Sequence, residues 1–324
     1  MSTSLLAPSA RIIKKNPQPV HLFPVKKEYT RCVRAIKRAN MLSNLSKPKT
    51  IGVIGIDGEE YPIPSLKQVT LLFDQNRELV RKKMSQGFDR LELTPLAIQE
   101  PLLISQLKTA ILKQGAQGTI HQTRKSPSDP LIPLRVNSEK QVWVWETLLQ
   151  VIDAEELVFF PQEYSSNHMG QTKLEIINNG NICAVPGWSI GLVENLRVMP
   201  EKGEGITLGG RKQLEIGLSP REYLELLQTP AYIGETGKTL EDFITKFLTH
   251  LVTTTEVCHD RNDNNALWFL GLYVKYRDDL KSDFVPTGWW HREYGRVRLD
   301  AHRPDNKLCT KSWGGASVVR LPKV

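Results

Sequence analysis

The strongest constraint on this chain lies in its last third, where one helical stripe is followed by a run of strands. In TLEDFITKFLTHLVTTTE, Phe243, Phe247, Leu248 and Leu251 recur at helical spacing, and Thr239 with Asp242 three residues later supplies a capping box. The segments that follow, ALWFLGLYV, TGWWHREY, RVRLDAH and SVVRLP, are short, bulky and separated by polar turns, as strands are. A helix with one apolar stripe beside several strands reads as part of an α+β fold.

Upstream, the same reading finds further elements. IGVIGIDGEEYPIP predicts two short strands around Asp57-Gly58, a strong hairpin turn signal. Ser65 caps a helix carrying Leu66, Val69, Leu72, Phe73, Leu79 and Val80, stopped by Gly87. FDRLELTPLAI reads as a strand and PLLISQLKTAILKQG as a helix. After GWSIGLVENLRVM, a strand candidate, comes a Gly-rich loop, and Ser219 with Glu222 forms a second capping box for a helix through Leu227. The expected organisation is a basic mobile arm over residues 1–50, a small N-terminal α/β domain over 51–165 and a binding domain over 166–324.

Charge is spread unevenly. Residues 1–50 carry eleven Lys and Arg against the single acid Glu28, so the net charge of +8 leaves −2 for the rest of the chain. Residues 281–324 are basic as well, with nine Lys and Arg against four acids. An arm of this composition fits a solvated linker or a contact with nucleic acid or another acidic partner. A short basic helix within 27–45 would put Val33, Ile36 and Leu42 on one side. No apolar run approaches the ~20 residues of a membrane span. The opening MSTSLLAPSARIIKK lacks the apolar core of a secretory signal, so the default location is cytoplasmic. Cys32, Cys183, Cys258 and Cys309 form no Cys-x-x-Cys pair; they suit four free thiols, with two disulfides as the other possibility.

Few motifs point to chemistry. GEGITLGGRK has four glycines, Gly203, Gly205, Gly209 and Gly210, but fits neither phosphate-loop spacing and reads as a structural loop. HDRNDNN offers Asp260, Asn262 and Asn264 at calcium-loop spacing, yet Asn265 stands where the turn glycine belongs and Gly271 where the bidentate acid belongs. It reads as a polar turn, with a loose cation site as the alternative. The seven histidines show no metal-ligand spacing, no nucleophile elbow occurs, and Glu59-Glu60 and Asp278-Asp279 look like solvated surface. No catalytic residue, metal or cofactor is expected.

The C-terminal stretch GWWHREYGRVRLDAHRPDNKLCTKSWGG is the richest in candidate contacts. Alternation in RVRLDAH would bury Val297, Leu299 and Ala301 and expose Arg296, Arg298, Asp300 and His302. Alternation in TGWWHREY would bury Trp289 or Trp290, not both, and groups Trp290 with Arg292 and Tyr294. If the two strands pair across Gly295, these side chains make one aromatic and basic surface, with Asn306 and Trp313 at its rim. Core filling is the competing role for the tryptophans.

The pieces PGWSIGLVE, GGRKQLE, SPREYLELLQ, ETGKTLEDFITKFLTHLVTTTEV, NALWFLGLY and YGRVRLDAH followed by WGGASVVRL cover roughly residues 184–324. Their order resembles the C-type-lectin-like fold of formylglycine-generating-enzyme-like domains and of variable proteins of diversity-generating retroelements. That resemblance implies a stable scaffold whose ligand-contacting side chains sit in the C-terminal strands, here 288–313. Cys258 and Cys309 do not sit in a motif matching the catalytic pair of the formylglycine enzymes, which favours a binding module over an oxidase. The whole chain also resembles uncharacterised bacterial proteins. The expectation is a non-enzymatic binder of a protein or glycan ligand. The alternative is a nucleic-acid-associated protein of a mobile element or phage acting through residues 1–50. The sequence leaves the oligomeric state open.

Overall fold

The computed structural model describes residues 23–179, 183–263, 265–275, 282–307 and 311–323. The chain runs α1 (Val25–Arg38), β1 (Ser43–Asn44), β2 (Ile51–Ile54), β3 (Glu60–Pro62), α2 (Leu66–Gln75), α3 (Arg77–Ser85), β4 (Phe88–Thr94) and α4 (Glu100–Ala116). Then come β5 (Val142–Val144), α5 (Glu146–Asp153), β6 (Leu157–Phe159), α6 (Lys173–Asn179), β7 (Ser189–Glu194), β8 (Thr207–Leu208) and β9 (Arg211–Lys212). The last part is α7 (Pro220–Leu227), β10 (Thr236–Gly237), α8 (Leu240–Thr254), β11 (Ala266–Trp268), β12 (Leu272–Val274), β13 (Val285–His291), β14 (Arg296–His302), β15 (Trp313–Gly315) and β16 (Ser317–Arg320). The fold is α+β.

Local signals place many elements where the sequence puts them. Ser219 and Thr239 form the capping boxes read from their spacing, and Ser65, read as a cap alone, forms one with Gln68; each box satisfies backbone donors at both of its ends. The Asp57-Gly58 turn joins β2 to β3, with Val53 opposite Tyr61. The helix begun at Ser65 breaks at Asn76 into α2 and α3; the Asn76 side chain donates to Leu72 and to Pro322 near the C-terminus. Gly209 and Gly210 turn with positive φ between β8 and β9, so the Gly-rich loop is a tight hairpin.

Packing crosses two of the expected boundaries. The boundary at residue 165 is crossed by three strand pairs: β4 with β7, β5 with β14 and β6 with β12. One buried cluster runs from Phe23 to Leu321, so the two parts share a core. The described part of the expected arm, residues 23–50, packs on the rest of the fold. Its residues 25–38 form α1, which buries Glu28, Cys32, Ala35 and Ile36 and packs on α8, α2 and β4. Cys32, Ile36 and Met41 supply the apolar surface that offsets the entropy of ordering this segment. Residues 1–22 lie outside the described residues.

Two sheets meet around α8. One has the order β10-β16-β7-β4; the other has the order β15-β11-β13-β14-β5. Helix α8 buries Phe243, Ile244, Phe247, Leu248 and Leu251, and its N-terminal carboxylates hold the surrounding elements. Lys173 of α6 bridges Glu241 at 2.6 Å and Glu100 of α4 at 2.9 Å, and Arg320 of β16 pairs with Asp242. Thr94 of β4 donates to Asp242 at 2.8 Å. A second buried knot lies under the β8–β9 hairpin, where Glu235 accepts from Lys83 at 2.7 Å and from Arg211 at 2.8 and 2.9 Å. Arg211 also reaches Glu194 and stacks over Phe88 and Tyr232.

Truncating the acid of the second knot would leave two buried cations with too few partners. Glu235→Ala is therefore expected to lower stability by about 3–5 kcal/mol, measured by urea unfolding. A loss below ~1 kcal/mol would show that the knot is not buried as described. The first knot titrates. Burial raises the Glu100 carboxyl to about 7; Lys173 opposes this and the neighbouring Glu241 adds to it. An acid whose folded pKa is raised stabilises most below its unfolded value, and that contribution is lost as pH rises toward 7. Glu100→Gln should remove this loss, so melting temperature should fall less between pH 5 and pH 8 in the variant than in the parent. Parallel profiles would contradict the assignment.

Candidate ligand-binding face

The five-stranded sheet is covered on both sides, and this decides where its aromatic residues go. In the β13–β14 ladder, Trp289 stands opposite Arg298, Trp290 opposite Val297 and His291 opposite Arg296. Paired residues share a face. Trp290, Val297 and Leu299 therefore point toward α8, where Trp290 stacks with Phe247 at 6.3 Å between centroids. Gly288 lets this contact close, since a Cβ there would lie 2.6 Å from Phe269 and 3.0 Å from Phe243. Trp289, His291, Arg296, Arg298, Asp300 and His302 point the other way. On that side Leu214, Tyr223, Leu227 and Tyr232 cover Trp268, Trp289 and Trp313.

Both tryptophans of TGWWHREY are thus buried, at 1% and 0% exposure, because each face of the sheet has its own covering layer. The alternation rule assumed one solvated face. The expected grouping of Trp290 with Arg298 and His302 is corrected by the register: the tryptophan on their face is Trp289. Trp313 lies in the floor, 4.5 Å from Trp268 and 4.9 Å from Trp289 between centroids, not at a rim. Arg292 is engaged elsewhere. It ion-pairs with Asp260 and Asp263 and ties the strand end to the turn at 261–263. That pairing also engages the carboxylates of the HDRNDNN loop; burial raises Asp260 to about 6 despite Arg292. Asn264 lies outside the described residues. Asn306 is half-buried in a turn, its backbone N–H donating to Arg303.

What remains is a face with an aromatic floor and a nitrogen-rich edge. Arg298 is half-buried, lies 4.3 Å from the Trp143 ring centroid and 5.4 Å from that of Trp289, and pairs with Asp300 at 2.7 Å. Asp300 is itself buried, contrary to the expected exposure, and accepts from Arg298 and from the Ala301 N–H. Arg296 lies over the ring of Tyr294, which is 47% exposed and 4.5 Å from His291. His302 packs edge-on against Trp268 and Trp313. Burial first, then the positive charges of Arg261 and Arg298, hold His291 below its usual pKa. Burial also holds His302 below its usual value, against the pull of Asp300. Burial thus disfavours the charged form of both imidazoles.

The nitrogens on this face are short of acceptors. The indole nitrogens of Trp268, Trp289 and Trp313, Nδ1 of His291, Nε2 of His302 and Nε of Arg296 have no hydrogen-bond partner. Buried polar atoms are normally paired, and a group left alone costs about 1–3 kcal/mol. Trp290, His250 and His259 also carry unpaired nitrogens, but in the α8 layer and not on this face. Trp143 and Trp268 complete the face from strands the sequence reading did not connect with it. Their signal was composition alone, bulky aromatics in KQVWVWETLLQ and ALWFLGLYV.

Nothing else among the described residues forms a stronger centre. No group of three or more His, Cys, Asp or Glu could hold a metal ion there. Cys32, Cys183 and Cys258 are buried and unpaired with one another, and burial pushes each thiol up to about 12. Cys309 lies outside the described residues. No described helix is long and apolar enough to cross a membrane. Comparison with protein-family models, with curated proteins and with solved structures finds no match to this chain.

Proposed function

We propose that this chain is a non-enzymatic binding protein whose ligand meets the Trp289–Arg298–His302 face of the C-terminal sheet. The observation that carries this reading is the partly exposed edge of one sheet face, where Trp143, Tyr294, Arg296, Arg298 and His302 lie together over a covered floor of three tryptophans. Such a face asks for a ligand rich in acceptor oxygens, a glycan or an acidic protein surface. Its aromatic side chains offer flat apolar contact, while arginine and imidazole offer directed donors. The chain order supports a C-type-lectin-like reading as well. A strand, β7, is followed by two helices and a group of strands, and the last strand, β16, returns to pair antiparallel with β7.

Among the expected contact residues, Arg296, Arg298, His302 and Tyr294 keep that role, and the half-buried Trp143 joins them above the covered floor of Trp289. Trp290 and Arg292 leave the set because each is engaged within the fold. The test is an array of neutral and acidic oligosaccharides together with acidic peptides, probed with the full chain. Arg298→Ala and His302→Ala should each weaken retained ligands about tenfold or more; stability falls by no more than ~1 kcal/mol in His302→Ala and by more in Arg298→Ala, which leaves the buried Asp300 without its cation. Unchanged binding in both variants would remove this face from the ligand site.

A further inference from the structure

A second surface lies on the far side of α8 from the tryptophan face. Helix α1 packs on α8 and β4, and a groove of about 890 Å³ runs along its outer side. Six cations line it: Lys26, Lys27, Arg31, Arg34, Arg38 and Arg90. Lys27, Arg31, Arg34 and Arg38 follow one another at steps of four, three and four residues, which sets them in a stripe about 16 Å long at 1.5 Å per residue.

The lining contains one acid, Glu28, and it is already spent within the fold. Its carboxylate is 2% exposed and accepts from Arg31, from Arg90 and from the Leu91 N–H. Burial would raise it, yet those donors hold it below its usual pKa. Lys26, Lys27, Arg34 and Arg38 are exposed and make no ion pair among the described residues. The contrast with the interior is sharp, since Lys83, Lys173, Lys238, Arg211 and Arg320 are all buried and paired. Two of the free cations also sit in the first helical turn, where the helix dipole disfavours positive charge. Fold stability does not account for that placement.

We propose that this groove binds the phosphate backbone of a nucleic acid, without reading its sequence. A linear row of cations, with Lys27, Arg34 and Arg38 making no ion pair among the described residues, matches a polymer whose negative charge repeats at regular intervals, and it does so better than it matches the scattered acids of a folded protein. Among the described residues that line it, the groove offers no aromatic side chain on which bases could stack. Its contacts would be electrostatic, and binding would weaken steeply with salt. Neutralising about four phosphates predicts a slope of log K against log salt of roughly −3 on a single strand and nearer −4 on a duplex.

The experiment measures anisotropy of a labelled 20-nucleotide oligo(dT), a 20-base-pair duplex and a polyglutamate peptide with the full-length chain across a salt series. One or both nucleic acids should bind at low salt with the slope given above. The triple variant Lys27→Ala, Arg34→Ala, Arg38→Ala should lose at least thirtyfold in affinity and flatten the slope. Lys47→Ala with Lys49→Ala, exposed residues outside the groove, should bind within twofold of the parent. Circular-dichroism melts confirm that each variant is folded, and the single variant Arg34→Ala, with a loss of threefold or more, serves if the triple does not fold. No binding of either nucleic acid, tighter binding of polyglutamate, or a folded variant that binds like the parent would overturn the proposal. Arg298→Ala should leave this binding intact, so failure here is separable from failure of the sheet-face reading.

Discussion

The packing of α8 is the constraint on which the rest depends. Fifteen residues long, it buries its apolar stripe and also its first-turn carboxylates, Glu241 and Asp242. Carboxylates at a helix N-terminus are favoured by the dipole, and here each also meets a buried cation delivered from a distant part of the chain. Lys173 comes from α6 and Arg320 from the final strand, so the helix end gathers segments widely separated in sequence. A buried pair adds little net stability compared with an apolar pair, but either charge alone would be strongly unfavourable. The network therefore selects one arrangement of strands over competing ones.

From that arrangement the two surfaces follow. Helix α8 takes one face of the five-stranded sheet and turns Trp290, Val297 and Leu299 toward itself. The opposite face is left to Trp289, Arg298 and His302, with α7 and Tyr232 covering only part of it. The side of α8 away from the sheet receives α1, whose polar stripe faces outward. A donor-rich aromatic face and a cationic groove thus stand on opposite sides of one helix. The two could serve different ligands.

Local structure was legible in the residues, and long-range pairing was not. The helix caps at Ser65, Ser219 and Thr239, the Asp57-Gly58 hairpin and the α8 stripe depend on residues within a few positions of one another, and they form as read. The partner of β14 is β5, more than 150 residues earlier, and no local period encodes that parallel pairing. Once β5 is in place and α8 and α7 cover the two faces, alternation no longer separates buried from exposed. That is why Trp289 and Trp290 are both core and Asp300 is hidden. A short basic helix was legible within 27–45, but the basic composition of residues 1–50 concealed that α1 packs on the fold. Its buried side chains, Cys32, Ala35 and Ile36, are few, and they count only because α8 is there to receive them.

The most direct test of α8 as the organising element is hydrogen exchange of the full chain, followed by mass spectrometry. Amides of 28–38 and 243–254 should exchange slowly and open together, since α1 and α8 share a core. Contradiction would come from fast, denatured-like exchange in 28–38 beside a protected α8. That would return α1 to a detached arm and remove the groove it lines.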